Sequence, residues 1–267
     1  MTIVDPRMFD AMQLREAGSY EEALTLLGQL FDEADSEPAP SRNRYFMTML
    51  EWQFLLEVHP PAQAPLRARR DAQVERLLGG AEYAGSTPGE AGDFRRAPRF
   101  FLIAEMNELL GDERSTWETF KKLDAMYPAQ AHSYAHVALD AVVAMRDYAL
   151  AERYCGEPLD LLDAVNVGAR EHPLFPPQRH PPRLAMDLSN LAKAVRIGMA
   201  ILRGRGEDAE ADKLREALLA GLESAELRDL ARRELDEPGT ITRVVVERQM
   251  AEEDRSKGAR PDFAEGA

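Results

Sequence analysis

The sequence has little of what several classes of protein require. The single cysteine, Cys155, excludes an internal disulfide and a thiolate zinc site, which takes two or more such ligands. No stretch approaches the roughly 18 to 20 uninterrupted apolar residues of a membrane-spanning helix, so we predict no membrane span. The first residues lack the basic start, apolar block and cleavage site of a secretory signal, and we therefore expect a cytoplasmic protein.

Basic residues are also in the minority. The chain has 267 residues, with 33 Lys and Arg against 47 Asp and Glu, which gives a net charge of -14. An excess of negative charge repels phosphate backbones, and only short basic clusters such as Arg67, Arg69 and Arg70 interrupt it, so we predict no nucleic-acid partner. Hydrophobic residues make up 45% of the chain, which is enough for a folded core without metals or disulfides.

The common catalytic motifs are missing as well. Neither GxxxxGK[ST] nor GxGxxG occurs, and the sequence Gly204-Arg205-Gly206 follows a predicted helix, where a phosphate-binding loop would follow a strand. No serine stands in a GxSxG turn. We predict a buried, unreactive thiol at Cys155. The sequence thus predicts no catalytic residue and no cofactor.

One histidine pattern needs a direct test. His132, His136 and Asp140 are four residues apart and lie near one face of a predicted helix. Ser133 stands where a HExxH metalloprotease carries its glutamate, and Asp140 lies about 12 Å along the helix from His132. We therefore predict no metal site. An enzyme that uses His132 and His136, together with His172 and His180, is kept as an alternative.

Apolar residues recur at spacings of three and four along nearly the whole chain, which predicts an all-α fold. We expect one helical-repeat domain over residues 1–250, with subdivisions near 79–96 and at the proline-rich segment 172–182, and a flexible polar tail over 251–267. The glycine-rich segment from Gly79 to Gly92 is predicted to be a mobile loop, and residues 241–250 fit either a helix or an edge strand. The large aromatic residues at helical spacing are predicted to form the core: Phe46, Trp52, Phe54, Phe100, Phe101, Trp117 and Phe120.

Four predicted hairpins share a turn pattern, in which a glycine or polar residue is followed five residues later by a small one. The turn residue and the small residue are Gly18 with Ala23, Gly111 with Thr116, Arg146 with Ala151, and Gly206 with Ala211. A left-handed turn residue ends the first helix, and the small residue lets the second helix approach it closely.

This pattern resembles the tetratricopeptide repeat, a helical hairpin of 34 residues. The match is best over residues 97–130, with Ala104, Gly111, Phe120 and Pro128 at the positions that the repeat specifies. The sequence departs from the family in two ways: Thr116 and Arg146 replace the usual alanine and glycine, and the turns lie 93, 35 and 60 residues apart, where a regular array has one period. The resemblance implies an α-α superhelix, a solenoid of irregular hairpins.

In such arrays the first helices of the hairpins line a concave groove that receives a peptide or a helix of a partner. The resemblance places the groove on Met12 in the first hairpin, Phe101, Glu105 and Glu108 in the second, His136 and Asp140 in the third, and Arg196 and Arg203 in the fourth. Met8, Arg15, Val143 and Lys193 occupy further groove positions. We expect a groove that is acidic in the middle and basic at its far end.

The sequence therefore predicts a non-enzymatic adaptor or scaffold that binds a protein or peptide. One alternative is an immunity protein or other inhibitor of a toxic enzyme, because a strongly acidic chain is suited to a basic partner such as a nuclease. The histidine-based enzyme is the second alternative. The oligomeric state and the identity of the partner are left open.

Overall fold

The computed structural model describes residues 5–88, 95–176 and 182–258, with side chains to residue 252. This part of the chain is all-α, as predicted, and contains no β-strand; two isolated bridges, Ser41 with Arg96 and Tyr83 with Pro98, are its only β pairing. The helices are α1 (Arg7–Glu16), α2 (Tyr20–Ser36), α3 (Arg42–Val58), α4 (Gln63–Leu78), α5 (Arg99–Leu110), α6 (Glu113–Met126), α7 (Pro128–Ala144), α8 (Tyr148–Tyr154), α9 (Leu162–Glu171), α10 (Arg183–Gly204), α11 (Asp208–Gly221), α12 (Ala225–Asp236) and α13 (Thr240–Gly258).

The turn residues that the sequence singles out have the expected backbone conformation. Gly18, Gly111, Arg146 and Gly206 all have a positive φ, between 58° and 79°. The small residue five positions after each of them is buried. Arg146 adopts a conformation that favours glycine, and it is the one non-glycine residue of the described chain with a positive φ. The turns therefore end each first helix in the manner that the pattern predicts.

The chain divides into two compact units, Met1–Met145 and Arg146–Ala267. The boundary falls within the turn between α7 and α8, and at neither of the subdivisions, 79–96 and 172–182, that the sequence suggests. Unit 1 contains α1 to α7, and unit 2 contains α8 to α13.

Helices of unit 1 alternate between two rows. The odd-numbered helices lie side by side, with α3 against α1, α5 against α3 and α7 against α5, and each even-numbered helix packs on the odd-numbered helix that follows it. Trp52, Tyr45, Phe31 and Leu27 fill the core between the rows over the first three helices. Removing apolar surface from water stabilises a fold by about 25 cal/mol for each Å², so the burial of these four side chains stabilises unit 1.

The segment between α4 and α5, predicted to be mobile, is tied down where the structure describes it. Arg96, although charged, is buried and donates hydrogen bonds to the carbonyl oxygens of Pro38, Ala84 and Thr87 at 3.1, 2.7 and 2.7 Å. Buried backbone carbonyls need donors, and a guanidinium with five N–H groups can serve several of them at once. Arg96 thus links the loop to the chain between α2 and α3, and mobility itself stays a prediction; residues 89–94 lie outside the described chain.

Unit 2 is organised around α10, which packs against α8, α9, α11, α12 and α13. Leu188, Leu191 and Val195 of α10 are fully buried in its core. Gly204 allows Tyr148 of α8 to lie against the end of α10, because a methyl group at position 204 would overlap the Tyr148 ring. A close approach of this kind requires glycine.

The last helix of unit 2 differs from the sequence prediction. Helix α13 covers the ambiguous segment 241–250 and continues to Gly258, eight residues into the segment predicted to be a flexible tail. Residues 259–267 lie outside the described chain.

Candidate functional site

An open cleft of about 470 Å³ lies between α3 and α5 in unit 1. One side is apolar and comes mainly from α3, while the other carries carboxylates from α5 and from the end of α3. Ten residues line it: Phe46, Met49, Leu50, Gln53, Leu56, Glu57, Gln63, Glu105, Glu108 and Leu109. This size falls within the range of pockets that hold a small molecule or one or two side chains of a partner.

The apolar side exists because α3 has hydrophobic residues around its whole circumference. Tyr45, Trp52 and Leu55 take the core-facing positions and are at most 1% exposed. Phe46 and Phe54 are left on the outer surface, 56% and 39% exposed. The prediction that these two phenylalanines belong to the core is therefore wrong, since one helix cannot bury every side against the same core. Exposed aromatic residues beside a cleft are typical of binding surfaces.

The acidic side of the cleft consists of Glu57, Glu105 and Glu108. Glu105 and Glu108 are three residues apart and share one face of α5. Within the described chain, none of the three carboxylates makes a hydrogen bond or ion pair. Burial raises the pKa of Glu105; the charge of Arg42 lowers it, and the charge of Glu108 raises it. Glu105 is thus a half-buried carboxylate without a bound cation.

Next to the cleft, Phe101 is surrounded by polar and aromatic groups. The Arg42 guanidinium carbon lies 5.4 Å from the centre of the Phe101 ring, in the arrangement of a cation–π contact. His136 and Tyr134 of α7 lie at centroid distances of 5.6 and 5.8 Å from the same ring. The structure therefore brings together Phe101, Glu105, Glu108 and His136 of the predicted site.

The other predicted site residues lie elsewhere. Met12 is half-buried on α1, and Asp140 is half-buried on α7, and neither lines the cleft. Arg196 and Arg203 belong to α10 in unit 2, where Arg203 is exposed and its Nη2 lies 3.1 Å from Asp212 Oδ1. Of the other groove positions, Met8 is buried in the core of unit 1. The arginines predicted to form the basic end of the groove therefore belong to unit 2, whereas the cleft belongs to unit 1.

The contribution of α3 to the cleft was not predicted, because the hairpin of α3 and α4 lacks the glycine turn that marks the others. His59-Pro60-Pro61-Ala62 joins these two helices through a 3-10 turn. The 93-residue gap between the first two matching turns was the clue, since it leaves room for a further hairpin. The spacing of four and seven places Phe46, Leu50 and Glu57 on one face of α3, but it does not distinguish that face from the core-facing one.

The residues of the enzyme alternative are spread out. His132 and His136 are exposed on α7 in unit 1, His172 is exposed after α9 in unit 2, and His180 lies outside the described residues. Over 5–88, 95–176 and 182–252, no three His, Cys, Asp or Glu side chains are grouped as a metal site requires. Cys155 follows the end of α8 and is half-buried, less than predicted, and burial raises the pKa of its thiol.

Substitution of Glu105 by glutamine is expected to stabilise the free protein at neutral pH. The raised pKa means that the charged carboxylate of Glu105 is less favourable in the folded than in the unfolded protein. This loss of stability is fully present above the folded pKa. It disappears below the unfolded pKa near 4.5, where Glu105 is protonated in both the folded and the unfolded protein. Urea denaturation at about pH 7.5 and pH 4 would measure this. Glu118→Gln, on the exposed surface of α6, should have no effect at either pH. Equal stability of Glu105→Gln and the parent chain at neutral pH would contradict this expectation.

Comparison of the chain with known protein families, with characterised proteins and with solved structures finds no match. Among the helices described, none is long and apolar enough to span a bilayer. The fold and the cleft therefore define the protein as an all-α, two-unit chain with an acid-lined cleft between two helices of its first unit.

Proposed function

We propose that this chain is a non-enzymatic protein-interaction module, and that unit 1 is an irregular array of hairpins similar to the tetratricopeptide repeat. The side-by-side packing of α1, α3, α5 and α7 supports the array, because the first helices of successive hairpins are neighbours in such folds. The left-handed turns at Gly18 and Gly111 and the buried Ala23 and Thr116 are further support.

The single observation that carries the binding function is the exposed face of α3 and α5. Phe46 projects from α3 at the rim of the cleft, which combines an apolar wall with carboxylates that form no ion pair among the described residues. Burying an exposed aromatic ring against a partner contributes more to affinity than most contacts, and charge sets the choice of partner. The function follows: this face binds an exposed segment of another protein.

Site-specific photo-cross-linking tests this proposal. A benzoylphenylalanine placed at position 46 is expected to cross-link a defined protein in cells. The control places the same probe at position 118, where Glu118 is exposed on α6, away from the cleft. The product is identified by mass spectrometry. Substituting Leu50 by serine should reduce the yield at position 46 severalfold, because Leu50 lines the same cleft as Phe46. Equal labelling from positions 46 and 118 would reject the face.

In the inhibitor alternative, the same face binds a toxic enzyme and abolishes its activity. The net charge of -14 and the carboxylates of the cleft favour a basic partner, such as a nuclease. If the cross-linked protein is a toxic enzyme, one equivalent of this chain should abolish its activity, and substitution of Phe46 should restore it. A partner whose activity is unchanged by binding assigns the chain as an adaptor.

A further inference from the structure

We infer that the cleft between α3 and α5 accepts one lysine or arginine side chain of the partner segment, next to an apolar residue that packs on Phe46. This inference rests on the proposed function and names the partner chemistry that the same site selects. It is drawn from the shape of the cleft, from its charge and from carboxylates that form no ion pair with any described residue.

The charge of the cleft has one sign. Among the described residues, its lining includes Glu57, Glu105 and Glu108 and no lysine, arginine or histidine. Two arginines act on these carboxylates from outside the lining: Arg42, which rests on the Phe101 ring, acts on Glu105, and Arg15, which pairs with Glu51, acts on Glu57. Neither forms an ion pair with a carboxylate of the cleft within the described chain. A partner with a carboxylate or phosphate at this place would add repulsion, whereas a cation would be attracted by three carboxylates.

The apolar wall matches the rest of a basic side chain. Lysine and arginine carry three or four methylene groups that pack along apolar surfaces while the charged end reaches polar groups. Met49 is buried at the base of the wall, Leu50 is half-buried, and Phe46 is exposed at the rim. A methylene chain lying on Leu50 and Met49 would direct its charged end towards Glu105 and Glu108, across the cleft.

Glu105 has a position suited to this role. Glu105 is half-buried and has lost part of its hydration, and the nearby charge of Arg42 compensates only part of that loss. Supplying the cation from a partner compensates that loss on binding, so the ion pair contributes to affinity as well as to specificity. Glu108, which is exposed, is expected to contribute less than Glu105.

The test is a selection from phage-displayed random peptides of about 12 residues with the full chain as bait. We expect the selected peptides to share one lysine or arginine beside a leucine, isoleucine or aromatic residue. Isothermal titration calorimetry of one such peptide is expected to show about a tenfold or greater loss of affinity when the chain carries Glu105→Gln. Acetylation of the anchor lysine, which removes its charge, should have a similar effect.

Two matched variants make the result specific. Glu118→Gln removes an exposed carboxylate from α6 and should leave the affinity unchanged. Phe46→Ala should lower the affinity of every selected peptide, because it removes the exposed ring that the proposed function requires. Far-ultraviolet circular dichroism of each variant establishes that it is folded.

The outcomes separate this inference from the proposed function. Peptides that lose affinity with Phe46→Ala but not with Glu105→Gln, or that share no basic residue, would overturn the inference and leave the proposed function standing. Failure to select any peptide that depends on Phe46 would count against both. A joint loss with Phe46→Ala, Glu105→Gln and lysine acetylation supports the inference.

Discussion

Replacing Arg99 by alanine is expected to lower the free energy of unfolding of unit 1 by about 3–5 kcal/mol. Arg99, the first residue of α5, is 1% exposed and donates to the carbonyl oxygens of Ala81 and Tyr83 at 2.8 and 2.7 Å. It also contacts Gln73, and its Nη1 lies 3.7 Å from Asp35 Oδ1. Alanine would leave these buried acceptors without a donor, and Asp35 would lose a positive neighbour.

The reporter for this measurement is already present. Both tryptophans, Trp52 and Trp117, belong to unit 1, so their fluorescence during urea denaturation follows that unit. Arg76→Ala is the matched control, because Arg76 also pairs with Asp35 but its side chain is 50% exposed. Asp35 is 10% exposed, but without Arg76 it keeps the hydrogen bond from Gln73 Nε2 at 3.0 Å, so we expect a loss of about 1 kcal/mol or less for a pair whose arginine is half exposed. Similar losses for the two variants would show that Arg99 does not hold the segment before α5.

Substitution of Glu234 by alanine should destabilise α13 by about 2–4 kcal/mol. Glu234 on α12 is buried, and its two carboxylate oxygens accept hydrogen bonds from the backbone N–H groups of Gly239 and Ile241 at 2.9 and 2.8 Å. These groups precede or begin α13. The first N–H groups of a helix have no partner within the helix, so this carboxylate serves as the N-terminal cap of α13.

Circular dichroism should report this change as a loss of helical signal at a lower temperature than in the parent chain, while tryptophan fluorescence, which reports on unit 1, stays unchanged. The control is Glu237→Ala. Glu237 is exposed and its Oε1 lies 2.9 Å from Arg243, so its loss should cost about 1 kcal/mol or less. Unchanged melting of Glu234→Ala would mean that packing on α10 and α12 alone maintains α13.

Arg99 and Glu105 lie on the same helix and have opposite relations to stability. Arg99 donates hydrogen bonds to buried carbonyl oxygens within the unit, whereas Glu105 faces the cleft and forms no ion pair with any described residue. A group that costs stability and faces a cleft is typical of a binding site, because function and stability favour different residues there. The expected gain in stability for Glu105→Gln and its expected loss of binding test both halves of this contrast.

The cleft could be predicted from the sequence only on one side. Counting back from Gly111 placed Phe101, Glu105 and Glu108 on an open face of α5, and the structure puts the two glutamates in the lining. The opposing wall could not be found in this way, because Phe46 has the same helical spacing as a core residue. Which side of α3 is covered depends on where α1 and α5 lie, and that is a property of packing.

The sequence by itself determined the helices and their turns, since the spacing of apolar residues and the residues at Gly18, Gly111 and Gly206 act locally, within a turn or two of helix. Only the tertiary structure decided the rest. Arg96 joined the segment before α5 to the carbonyl oxygen of Pro38, 58 residues earlier in the chain, Glu234 capped the start of α13, and packing left Phe46 exposed. The physical reason is that burial and hydrogen-bond partners depend on residues far away in the chain, which a local pattern does not contain.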